Sequence, residues 1–76
     1  MTLHQVLPRD VRRFLEKHGI EGDAMSRHND DLFIEVDDVE VAFELRELVL
    51  DFHSCCLVSH PESHKPTLLI HHILNQ

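Results

Sequence analysis

The chain has 76 residues, 42% of them apolar, with four Phe and neither Trp nor Tyr. That is one domain, residues 1–76, close to the lower size limit for folding alone, with a core worth on the order of 3–5 kcal/mol net, so a staple, a metal or a second subunit is a natural expectation. The formal charge of −7 repels phosphate backbones and favours basic partners, so direct nucleic-acid binding is the class that charge excludes most strongly.

The charge is unevenly spread. Residues 1–18 carry four bases against two acids, residues 19–51 eleven acids against two arginines, and residues 52–76 one of each. There is no long apolar run and no basic-then-apolar leader, so neither membrane insertion nor secretion is expected. The two cysteines are adjacent, Cys55-Cys56. Strand neighbours point to opposite faces, so they read as reduced thiols of a cytoplasmic protein rather than as a bridge.

Residues 1–7 are expected as a flexible arm or an edge strand. Pro8 suits the first position of a helix, and Val11, Phe14, Leu15 and His18 follow at the spacing of one helical face, with Leu7 placed to staple onto Val11. Gly19 stops that helix, predicted over 8–18. Asp23–His28 and Leu32–Val36 read as a hairpin around Asn29-Asp30, with Leu32, Ile34 and Val36 on the buried face. Asp37 or Asp38 then caps a main helix predicted over 38–53.

That main helix has three faces on a 100° wheel. Val41, Leu45, Leu48 and Phe52, flanked by Ala42 and Val49, form an apolar stripe suited to a sheet. Glu40, Glu44, Glu47 and Asp51 form a strip of acids. Val39, Phe43 and Leu50 form a second apolar stripe, which is either an exposed anchor for a partner or covered within the domain, for example by the N-terminal arm.

Cys55–His60 is apolar on both faces and is expected to be an interior strand. The prolines at 61 and 66 bound a loop, and Thr67–Leu74 is expected as the last strand, with a helix starting near Pro66 as the alternative. The predicted architecture is α+β, in the order α-β-β-α-β-β, with two helices on one face of an antiparallel sheet.

Residue types that bind zinc or nickel gather at His53, Cys55, Cys56, His60 and His64. His60-x3-His64 matches a common half-site spacing, but the Cys-x2–4-Cys half is missing, which favours small core cysteines and surface histidines. The eight histidines would offset the acidic field if pH fell through about 6.5. Asp30-Asp31 and Asp37-Asp38 are paired carboxylates that read first as a turn and a helix cap.

Catalytic motifs are lacking. Gly19 and Gly22 make no phosphate loop, and neither Ser54 nor Ser59 sits in a nucleophile elbow. The first helix, Gly19 and Ser26-Arg27-His28 faintly resemble the HicA-type RNA-cleaving toxins, but the Gly-Ser-His motif of that family is absent and the chain is acidic. The protein therefore reads as a non-enzyme.

In the acidic strip, Glu40–Glu44 and Glu47–Asp51 are like-charge pairs at i+4, each costing a helix roughly 0.2–0.5 kcal/mol. Solvated acidic faces are common; apolar residues beside one are the anatomy of an interface. Val39, Glu40, Phe43, Glu44, Glu47, Leu50 and Asp51 are thus the candidate partner-binding residues. The expected partner is a larger protein with a basic surface, in keeping with a general compositional similarity to phage-encoded inhibitors that include DNA mimics. A homodimer through Phe43 and Leu50 and a His/Cys metal module are the alternatives.

Overall fold

Val11 and Leu15 lie one helical turn apart, and the helix that buries both, α1, runs Arg9–Lys17. Pro8 is its extended N-cap, and the Pro8 carbonyl accepts the Arg12 amide at 3.0 Å. At the other end Gly19 takes φ of 68°, a left-handed turn open to glycine. The Gly19 amide bonds to the Glu16 carbonyl at 3.1 Å and the Ile20 amide to the Leu15 carbonyl at 2.8 Å. This is the Schellman closure, with Leu15 and Ile20 as its buried apolar pair.

The computed structural model describes residues 3–60 and 62–74, the side chains of residues 3 and 4 excepted. Four strands follow α1: β1 (Met25–His28), β2 (Asp31–Glu35), β3 (Cys55–Ser59) and β4 (Pro66–Ile70), with α2 (Val39–Leu50) between β2 and β3. All pairings are antiparallel and the spatial order is β1-β2-β4-β3. The predicted element order and the two helices on one face of an antiparallel sheet are as expected. Leu32, Ile34 and Val36 are buried as their alternation implied.

Register fixes which side chains share a face. Ile34, Leu68 and Leu57 are cross-strand neighbours, as are Leu32, Ile70 and Cys55, and these rows lie under the helices. Ala42, Leu45 and Val49 of α2 close over them, each with no solvent exposure. Phe33, Leu69 and Cys56 form the row on the opposite face, and all three are half-buried.

Several expectations are corrected. Leu3–Val6 is a short 3-10 helix rather than an arm or edge strand, and Leu7 behind it is buried, because Leu7 shares the core with Val11. Residues 1 and 2 lie outside the described residues. The first hairpin strand begins at Met25, because Gly22–Ala24 forms a 3-10 turn. The main helix is shorter than predicted, ending at Leu50, so Phe52 leaves the buried stripe and is 41% exposed. His18 likewise lies outside the core, its ring 4.4 Å from that of Phe14.

The largest correction concerns β3 and β4. β3 is an edge strand and β4 the interior one. Two-sided apolarity marks a strand with both faces partly covered, whichever place it holds in the sheet: Cys55 and Leu57 pack against the core and Cys56 and Val58 are half-buried on the other face. β4 begins at Pro66, whose missing amide is harmless at a strand's first residue, and ends at Ile70 rather than Leu74. The chain then turns through His72, at φ 54°, and buries Ile73. Two bonds tie this turn to the hairpin: the His72 amide to Asp31 Oδ1 at 2.8 Å, and the Leu74 amide to the Asp30 carbonyl at 2.9 Å.

Candidate functional site

α2 starts at Asp38, whose carboxylate accepts the Glu40 amide at 2.9 Å. That cap sets the helix phase, and with it the fate of each stripe. Val41 and Leu48 are half-buried on the flank towards Phe14 of α1. Ala42, Leu45 and Val49 face the sheet. Glu40, Glu44, Glu47 and Asp51 are all exposed on the side turned away from the sheet.

The second apolar stripe is in solvent. Val39 is 50% exposed, Phe43 49% and Leu50 43%, so no arm or loop among the described residues covers them. On the wheel this ridge points sideways, away from α1 and across the outer edge of the sheet. Val39 and Phe43 accordingly border a shallow depression with Leu57, Val58 and Ser59 of β3, together with His64 and Pro66. Arg46, the sole cation of α2, lies in line with the ridge and reaches Glu47 at 3.6 Å.

A second acidic feature lies at the N-terminal end of α2. Glu21, Asp23, Glu35, Asp37 and Asp38 line a concavity of about 430 Å³ together with Lys65. Lys65 Nζ sits 2.8 Å from Asp37 and 3.8 Å from Glu35. The hydrogen bond to Asp37, then its charge, pushes the Lys65 ammonium above the usual lysine range. One cation thus offsets part of this acidic cluster, whereas the strip on α2 has only Arg46 at its margin.

The candidate zinc ligands are dispersed by the strand they sit on. Cys55 faces the helices, its thiol 3.7 Å from the Arg46 carbonyl, and burial pushes that thiol up in pKa against the pull of the Arg46 charge. Cys56 is on the other face, 3.5 Å from Nε2 of His71. His53 donates a ring N–H to the His71 carbonyl. At the far end of β3, Nδ1 of His60 accepts the amides of Glu62 and Ser63 at 3.1 and 3.2 Å. His64 is exposed in a turn at φ 58°. Among the described residues, no three His, Cys, Asp or Glu side chains are grouped to hold a metal ion.

The spacing argument missed two neighbours. His71 joins Cys56 although it lies beyond the sequence cluster, since strand pairing brings residues 55 and 70 side by side. Arg46 joins the ridge, a position the wheel gave but the search for acids passed over. No protein-family model, curated protein or solved structure matches the chain. No helix among the described residues is long and apolar enough to cross a membrane.

Proposed function

We propose that this protein is a small acidic protein-binding module without catalytic activity. It acts through the outer surface of α2 as an inhibitor or adaptor of a larger protein or nucleoprotein with a basic surface. The observation that carries this reading is the exposed strip Glu40, Glu44, Glu47 and Asp51 running beside the exposed ridge Val39, Phe43 and Leu50. A helix selected for the domain's own stability needs neither like charges one turn apart nor large apolar groups in water.

Charge complementarity selects the partner's sign, steers its approach and makes the complex weaken with salt. A site that normally holds nucleic acid has the required basic character, which places nucleic-acid mimicry within this class. The separated faces of Cys55 and Cys56 suit a reducing compartment such as the cytoplasm.

The test is affinity capture from nuclease-treated native lysate with the parent and with a Glu44→Lys/Asp51→Lys variant. The parent should retain a basic protein that elutes at moderate salt, and the variant should lose it at least tenfold. The same retained proteins on both baits would refute the role of the strip.

A further inference from the structure

The exposed ridge of α2 and the free edge of β3 lie side by side, and we propose that a second copy of this chain covers both at once. The two copies pair β3 with β3 about a two-fold axis, making one eight-stranded sheet, and pack α2 against α2 above it. This goes beyond the reading above, because it gives the two halves of α2's outer surface different occupants. The ridge is taken by the second copy, and the acidic strips stay free for a basic partner.

The strand supplies the first argument. The Ser54 carbonyl accepts the His71 amide and the His60 amide donates to the Lys65 carbonyl, both at 3.1 Å. Bonding positions alternate in an antiparallel ladder, and this one has no bulge. Cys55, Leu57 and Ser59 therefore turn their amides and carbonyls outward. That set is its own complement: across a two-fold at Leu57, residue 55 meets residue 59 of the other copy and residue 57 meets its equivalent. β3 reads Cys-Cys-Leu-Val-Ser, without the Lys, Pro or bulge that blunts an edge strand left in water.

The helix supplies the second. α2 packs over both β3 and β4, so it sits above the half of the sheet that ends in the free edge. Adding one inter-strand step of about 4.8 Å across the new seam places the two α2 axes roughly 10 Å apart. Helices pack at about 8–10 Å, so pairing the strands brings the ridges into contact with no rearrangement. In an antiparallel pair centred on the ridge, Arg46 of one copy meets Phe43 and Glu47 of the other, a cation against an aromatic face and a carboxylate.

Area supplies the third. Val39, Phe43 and Leu50 at 43–50% exposure, with the half-buried residues of β3, offer on the order of 400 Å² per copy. A symmetric pair then buries about 800 Å², the size of a weak, concentration-dependent dimer. Neither the edge nor the ridge reaches that figure alone.

Sedimentation equilibrium of the untagged full chain, with no other protein present, tests the proposal. The mass should rise with concentration from 8.9 kDa to twice that value. Phe43→Asp alters only an exposed side chain, and Ser59→Pro removes an outward amide without breaking a bond to β4. Each should weaken the dimer at least tenfold with the far-ultraviolet circular dichroism unchanged, while Glu44→Lys/Asp51→Lys should dimerise at least as well as the parent. A parent that stays at 8.9 kDa into the millimolar range overturns the proposal, as does a Phe43→Asp chain that dimerises like the parent. Because the lysate capture turns on loss of a basic protein from Glu44→Lys/Asp51→Lys, and the sedimentation run on loss of self-association by Phe43→Asp and Ser59→Pro, failure of one leaves the other standing.

Discussion

Asp38 and Cys55 show how much one atom's surroundings decide. The Asp38 carboxylate satisfies the Glu40 amide at the start of α2, so Asp38→Ala should cost about 1 kcal/mol and lower the melting temperature by about 4–8 °C, read by a thermal scan. Sequence narrowed the cap to two aspartates, since either could precede Val39; only the helix's first residue separates them. Cys55 is displaced upward in pKa by burial. The folded state thus holds its thiol proton more tightly than the unfolded chain. That preference costs nothing below the ordinary thiol range and erodes stability as pH rises through it. At about pH 8.5, alkylation followed by peptide mass mapping should find Cys55 reacting several-fold more slowly in the native protein than in urea.

Among the elements, α2 carries the contrast between packing and display. Leu45 has no solvent exposure and Phe43 is 49% exposed on the same helix. Leu45→Ala should therefore cost about 2–5 kcal/mol, a large fraction of the total, while Phe43→Ser should change monomer stability by under about 0.5 kcal/mol. Chemical denaturation of both variants at low protein concentration checks the pair. Helical periodicity alone makes this division readable, because 3.6 residues per turn separates Val39, Phe43 and Leu50 from Ala42, Leu45 and Val49. The strands were less legible. Composition placed Cys55–Ser59 correctly in sequence but in the wrong part of the sheet, because a strand apolar on both faces looks alike whether its flank meets another strand or a second molecule. The His53, Cys55, Cys56, His60 and His64 set is divided in space for a related reason: proximity in sequence says nothing about which side of a pleat each residue takes.

At the scale of the molecule, the acids gather on α2 and around the concavity at Glu21 and Asp37, while Arg9, Arg12 and Arg13 line the far side of α1. In a dimer the two acidic strips lie on α2 helices whose axes are roughly 10 Å apart, close to the Debye length of about 8 Å at physiological ionic strength. Added salt should then act in opposite directions on the two associations, tightening the self-pairing several-fold while loosening a complex with a basic protein. A salt series followed by sedimentation for the first and by capture yield for the second reads both signs.

The order of the sheet has a consequence for how the chain reaches this shape during synthesis. β4 is the last strand in sequence yet sits between β2 and β3, so the sheet has no middle until Pro66–Ile70 leave the ribosome. Before that, β1 and β2 can form a hairpin and α2 can wind, but the row Leu32, Ile70 and Cys55 has no centre to close on. Every ladder hydrogen bond that holds β3 in the sheet spans the loop to β4, and the turn at His72 and Leu74 must return to Asp30 and Asp31. The sheet therefore becomes continuous only when Pro66–Ile70 take their place between β2 and β3.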